Sequence, residues 1–375
     1  MQEDFHYYAT YCAAFIAGYS HKESLDIAYS AQFVDVCSRT LLYKIKGPGN
    51  AATTQLQLEL MDARTDPVGL QDITRIWSSF HFLPKDLFAE KKKCSRRYRN
   101  KYRLICGPNG DLVVKTVELA KGKPIQSAGI AMHVLADTWA HANFAGTPSL
   151  VINNTNYVFY ELIPEGDGIK ERQIKFVHKK SVPDDLDNSV YTNSLYQSNE
   201  NSIMNLGHGR AGHLPDYSFV RYKYLPAWGE YGEITKDNPS DYMKAFTQMI
   251  YAMKYIRGIN QSFEKDKYDT EAISQWKERI QGIIEKRQLL ASEDWKAFGE
   301  ELSGQVIEDF AIDKYFNEYV SANKKDKDET YLGKFIRGAI AHKGMVIDEI
   351  GKSGNKLAGV ARGSFLNKFF RGNQK

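Results

Sequence analysis

The chain has 375 residues, of which 42% are hydrophobic and 26% charged. That composition excludes a disordered or fibrous protein and suits a globular chain with one large domain or two smaller ones. The formal net charge is only +4, no apolar run approaches the roughly 20 residues of a membrane span, and Met1-Gln-Glu-Asp-Phe-His6 lacks the basic-then-apolar order of a signal peptide, so a cytoplasmic protein is expected.

In chain order, Tyr7 to Gly18 is a compact apolar run that Gly18 would terminate. Ser20-His-Lys-Glu23 has the form of a capping box and predicts a second helix to about Leu42, with His21 in its exposed first turn and dropped as a ligand. Within that helix, Phe33-Val-Asp-Val-Cys37 sets Asp35 among apolar neighbours. A buried carboxylate needs a partner, either Arg39 four residues on or a metal ion. His81 ends the aromatic stretch Ile76-Trp-Ser-Ser-Phe-His81-Phe-Leu-Pro84, which Pro84 stops.

From Lys91 to Arg103, eight of thirteen residues are Lys or Arg, with Tyr98 and Tyr102 interleaved. Such a run is either a solvated face or a surface for the phosphates of nucleic acid or anionic lipid, with tyrosines that could stack on bases. The four cysteines, Cys12, Cys37, Cys94 and Cys106, show no CxxC spacing, which argues against both a disulfide framework and a thiolate metal site.

The segment from Pro124 to Phe144 carries the strongest signal. His133, Asp137 and His141 recur at steps of four, so they form one polar stripe on an otherwise apolar helix containing Ile130, Met132, Val134, Leu135, Trp139 and Phe144. Burying those groups unpaired is costly, and either a metal ion or a His/Asp/His hydrogen-bond chain would remove the cost. Two β-branched and aromatic stretches follow, Ser149 to Leu162 and Arg172 to His178, separated by Pro164-Glu-Gly-Asp-Gly168. They predict a β-hairpin inserted at about 149–180, with His178 exposed beside Lys179.

Gly207-His208-Gly-Arg210-Ala-Gly-His213-Leu-Pro-Asp216 is either a solvated loop or a tight turn that gathers two histidines, an arginine and an aspartate. Helices are expected again near 240–259, 269–288, 292–322 and 329–351, with His342 in charged surroundings and 324–329 as a solvated turn. These elements make a single helical domain over 1–355, with the ligands in 1–230 and helical completion in 231–355, followed by a basic tail at 356–375.

Six of the nine histidines, His6, His81, His133, His141, His208 and His213, lie beside apolar, glycine-rich or acidic residues, which favours a shared site. Imidazole and carboxylate donors without thiolate suit Zn²⁺, with Mn²⁺ or Fe²⁺ as alternatives.

His133-x-x-x-Asp137 followed by His141-Ala-Asn-Phe144, with the upstream His81-Phe, resembles the zinc-ligand helix of zinc-dependent phospholipase C and the related single-strand-specific nucleases. With Asp4-Phe-His6, Gln32-Phe-Val-Asp35 and Gly207 to His213, the chain looks like an uncharacterised bacterial branch of that superfamily. The resemblance implies an all-α fold of that type and metal-dependent phosphoester hydrolysis with two or three Zn²⁺ ions. Asp35, His81, His133 and Asp137 would hold one ion, and His141, His208, His213 and Asp216 a second. Secreted members use the amine and carbonyl of an amino-terminal tryptophan. Here Asp4 and His6 are expected to take that place, and His208, His213 and Asp216 that of a missing later His-x-x-x-Glu pair. Asp35 would orient the attacking water, and Arg210 would either stabilise charge on the phosphoryl oxygens or pair with Asp216. The rival expectation is a metal-stabilised binding or scaffold protein without turnover, with Lys91–Arg103 as its docking surface.

Overall fold

The computed structural model describes residues 1–156, 158–177, 184–192 and 206–359. His178 and the basic tail from 360 onward lie outside them. The helices are α1 (Thr10–Ile16), α2 (His21–Val36), α3 (Arg39–Lys44), α4 (Gln57–Ala63), α5 (Pro67–Phe80), α6 (Arg96–Tyr102), α7 (Asp111–Ala120), α8 (Ile125–Ala140) and α9 (Leu150–Asn153), then α10 (Asn238–Ile256), α11 (Lys277–Glu285), α12 (Ser292–Ser303), α13 (Phe316–Ser321) and α14 (Tyr331–Lys352). Between α9 and α10 the described residues form six strands, β1 (Tyr160–Glu165), β2 (Gly168–Gln173), β3 (Lys175–Val177), β4 (Val190–Thr192), β5 (Arg221–Tyr224) and β6 (Ile234–Asp237).

The helix signals near the amino terminus hold. Ser20 and Glu23 form the reciprocal capping box, and Gly18 takes the left-handed conformation that ends the preceding helix. α2 nevertheless stops at Val36, short of Leu42, because Thr53 completes its last turn: its N–H donates to Cys37 O at 2.9 Å and its hydroxyl to Val34 O at 2.6 Å. A new helix, α3, then starts from the Ser38 cap.

α8 is the central strut, with all of its residues buried except Ile125 and Ser127. α2 crosses it closely because position 129 has no side chain. A Cβ on Gly129 would stand 2.4 Å from Ile27 O and 2.5 Å from Ser30 Cβ. That approach brings the last turn of α2, with Asp35, beside His133.

The expected all-α fold is wrong. The chain forms a four-stranded antiparallel sheet in the order β2-β1-β5-β6 and a two-stranded parallel sheet, β3-β4, so the architecture is mixed α and β. The expected hairpin exists as β1-β2, but its first part is the short helix α9, and Pro164 pairs within the strand opposite Ile169. What was missed is that β1 continues the sheet through β5 and β6, which bury Tyr222, Tyr224 and Lys236 on alternate positions. Four-residue strands leave too short a period-2 signal to stand out beside long helices.

This sheet bounds a second core of Phe82, Phe144, Phe159, Tyr222 and Tyr224, separate from the main helical core, and His141 lies against it through Phe82. Towards the carboxyl end, the helix expected over 292–322 breaks at Gly304, whose φ is +66°, and resumes only at Phe316. The one expected over 269–288 begins as a 3₁₀ turn at Glu271–Trp276.

Candidate metal centre

Five parts of the fold deliver polar side chains to one buried point. His6 comes from a π-helical turn at Asp4–Ala9, a helix variant that concentrates at functional sites. Asp35 comes from the last turn of α2, His81 from the residue that closes α5, and His133 and Asp137 from α8, with His141 closing that helix. His208 and Asp216 come from the turns at 207–216. Gly207 makes that approach possible: its φ is +55°, and a Cβ there would lie 2.0 Å from Phe82 Cζ, on the ring that stacks on His141 at 4.7 Å.

Asp137 is the hub. Its Oδ1 accepts from the Met1 amino group at 2.8 Å and faces His6 Nε2 at 3.1 Å. Its Oδ2 faces His133 Nε2 at 3.2 Å, His81 Nδ1 at 3.3 Å and His141 Nδ1 at 3.5 Å. Asp35 approaches from the other side, 3.7 Å from His81 Nδ1 and 3.9 Å from His133 Nε2. Asp216 Oδ1 lies 3.2 Å from His141 Nε2 and 3.3 Å from the Met1 nitrogen, while its Oδ2 lies 3.7 Å from His208 Nε2. Three sets bring their ligand atoms within 4.8 Å of one another: His6, His133 and Asp137; Asp35, His81 and His133; and His141, His208 and Asp216. These buried His/Asp groups could hold a metal ion.

The tautomers explain why. His81 Nε2–H donates to Thr53 O at 3.1 Å, His141 Nδ1–H to His81 O at 2.7 Å, and His208 Nδ1–H to Gly212 O at 2.7 Å. A carbonyl only accepts, so each bond turns the opposite ring nitrogen toward the cluster, as outer hydrogen bonds do for metal-ligating histidines. Those nitrogens then meet carboxylate oxygens, which also only accept. Where the ring is neutral, two lone pairs stand 3.2 to 3.7 Å apart and repel, and either a proton or a metal ion between them relieves the repulsion. The spacing fits a metal ion: donors bound about 2.0–2.1 Å from a tetrahedral ion stand about 3.3 Å apart.

The electrostatics point the same way. Burial, with the neighbouring imidazole charges and the Met1 ammonium, lowers His6, His133 and His208 to about 4, so all three rings are neutral at pH 7. Burial disfavours the charge on Asp137 and Asp216, but the surrounding imidazoles and the Met1 ammonium hold both well below the usual carboxylate range. Burial alone would depress the Met1 amine; Asp137, Asp216 and Asp35 outweigh it and raise the amine to about 11. Burial, reinforced by Asp137, raises Asp35. Three carboxylates thus face one ammonium.

The structure does not bring together every residue singled out in the sequence. Asp4 turns away, accepting from Phe5 N at 2.8 Å and Ala291 N at 3.0 Å, and the Met1 amino group stands at the cluster instead. A backbone amine carries no side-chain signal, which is why sequence reasoning missed it. His213 sits at the rim, 55% exposed, with Nδ1 3.2 Å from Asp216 Oδ2. Arg210 is buried in the same turn. Arg39 pairs with Asp72, which leaves Asp35 to the histidines. His342 is not in exposed, charged surroundings as expected; it is buried, apart from the cluster, with Nε2 donating to Ser79 O at 2.8 Å. His21 also lies apart, 2.7 Å from the Tyr11 hydroxyl.

The chain belongs to a family of unknown function, DUF6765, whose model matches residues 1–350. No curated protein and no solved structure matches it.

Proposed function

We propose that this protein is a metal-dependent phosphoester hydrolase of the zinc-dependent phospholipase C and single-strand-specific nuclease type, with two or three Zn²⁺ ions held by His6, Asp35, His81, His133, Asp137, His141, His208 and Asp216. The observation that carries the reading is the crowding of imidazole nitrogens against buried carboxylates at ligand–ligand spacing.

The bound ions would supply Lewis acidity toward a phosphoryl oxygen and lower the pKa of a water at the site. Asp35, at 28% exposure against 1% for Asp137 and 7% for Asp216, is the carboxylate open to solvent and substrate. Asp35 would take the proton of an attacking water. Arg210 would balance charge on the phosphoryl oxygens.

The test is hydrolysis of a chromogenic phosphodiester by protein loaded with Zn²⁺ or Mn²⁺. Turnover should fall at least about a hundredfold in Asp35→Asn. It should vanish in His141→Ala, with the fold retained and one ion lost. Stoichiometric metal with no turnover on lipid, nucleotide or single-stranded substrates would overturn hydrolysis and leave a metal-stabilised scaffold.

A further inference from the structure

Of the eight basic residues between Lys91 and Arg103, three are paired, with two carboxylates between them. Lys91 pairs with Glu230 at 2.9 Å and donates to Trp228 O at 2.8 Å, while Arg99 and Arg103 share Glu90 at 3.6 and 2.5 Å. Lys92, Lys93, Arg96, Arg97 and Lys101 have no carboxylate within ion-pair distance among the described residues, and the first four are exposed. Burial and the Arg97 charge lower the pKa of Lys101.

The tyrosines within the run cannot serve as a stacking platform for bases. Tyr98 and Tyr102 are half-buried, the Lys91 ammonium lies 5.1 Å over the Tyr102 ring, and Trp228 meets that ring edge-on at 5.9 Å. The rings that do project are Phe88, 67% exposed, and Tyr231, 97% exposed. Lys91 clasps their two loops together through Trp228 and Glu230. Glu230 and Tyr231 both hold left-handed backbone, with φ of +52° and +65°, a conformation unfavourable for non-glycine residues that presents Tyr231 at the tip of its turn.

We infer that this face docks on an anionic membrane surface, with Lys92, Lys93, Arg96, Arg97 and Lys101 against the headgroups and Phe88 and Tyr231 entering the interfacial layer. Protruding aromatic side chains on the loops joined by Lys91, next in sequence to a run of cations without carboxylate partners, suit a lipid interface, whereas single-stranded nucleic acid needs a groove with ring faces turned up, and here the Tyr102 ring is covered by Lys91 and Trp228. The metal centre lies nearby: Trp228 Nε1 donates to Asn143 O at 3.1 Å, two residues beyond His141. The inference does not rest on hydrolysis, since binding is read without turnover.

The experiment is co-sedimentation of the full chain with vesicles of phosphatidylcholine alone and with about one-third phosphatidylserine, with a single-stranded oligonucleotide measured in parallel. Binding should require phosphatidylserine and weaken steeply with salt. Each cation contributes about fivefold to the partition coefficient, so Arg96→Gln with Arg97→Gln should reduce it roughly 25-fold. Phe88→Ser with Tyr231→Ser should weaken binding without changing its salt dependence, and Tyr231→Trp should show a blue-shifted emission only on charged vesicles. These side chains are exposed and outside the metal cluster, so melting temperature and metal content should be unchanged in every variant. No binding to charged vesicles at low salt, binding indifferent to the Arg96 and Arg97 substitutions, or binding to the oligonucleotide but not to vesicles would each overturn the inference.

Discussion

Asp137→Asn isolates the charge at the hub of the cluster. Asparagine keeps the volume and one carbonyl oxygen but removes the carboxylate that accepts from the Met1 ammonium at 2.8 Å and faces four imidazoles. Removing one partner of a buried ion pair costs about 3–5 kcal/mol. A bound ion lost with it removes about 4 kcal/mol more, taking free metal at a thousandfold above its Kd. At about 2.1 cal/mol/K per residue, a chain of 375 residues has an unfolding entropy near 0.8 kcal/mol/K, so the combined loss is roughly 10 °C in Tm. Differential scanning calorimetry with and without a strong chelator reads both parts: the wild type, losing two or three ions at about 4 kcal/mol each, should drop by about 10–15 °C on chelation, while the variant starts lower and drops by less, having one ion fewer to lose. Wild-type and variant proteins that both ignore the chelator would refute the reasoning and leave a polar core with no metal.

Other predictions test separate parts of the structure. Lengthening the chain by two glycines ahead of Met1 forces residues into a fully buried position among Asp137, His141 and Asp216, and should lower metal content measured by atomic emission. Gly207→Ala meets both a φ of +55° and the Phe82 ring, so it should cost about 1–3 kcal/mol in urea unfolding and lose the ion of the His141, His208 and Asp216 group while sparing the others. For His342, burial lowers the folded pKa to about 4 against about 6.5 unfolded, so the unfolded state takes up the proton first as pH falls. The stability from the neutral ring is therefore complete above pH 6.5 and is lost as pH falls toward 4, amounting to about 3 kcal/mol. Urea unfolding in chelator at neutral and acid pH should show a smaller acid loss in His342→Gln, and an equal loss would contradict this.

Much of the site is legible in the sequence because helical spacing is rigid. His133, Asp137 and His141 keep their steps of four, and an apolar helix cannot hold them without partners. Asp35 was ambiguous between Arg39 and a metal because a sequence shows only the local i,i+4 partner; Asp72, which captures Arg39, comes from a different helix. Asp4 and Met1 exchanged roles for a similar reason. The carboxylate is visible in the sequence, but its bond to Ala291 N and the burial of the Met1 amine are tertiary facts. His342 was misjudged because Lys343 beside it suggests solvent, yet that lysine reaches Ala52 O and the imidazole turns inward. The sheet was missed at β5 and β6 because tertiary pairing with β1, rather than a long alternating pattern, makes those short segments strands.

The central claim is a multinuclear centre, and the direct measurement is the metal content of protein purified without chelator, combined with X-ray absorption at the edge of the metal found. Two or three ions per chain with nitrogen and oxygen ligands alone, at about 2.0–2.1 Å for Zn²⁺, are expected. Substoichiometric metal after saturation with Zn²⁺, Mn²⁺ and Fe²⁺ in turn, or a sulfur-containing ligand shell, would contradict it.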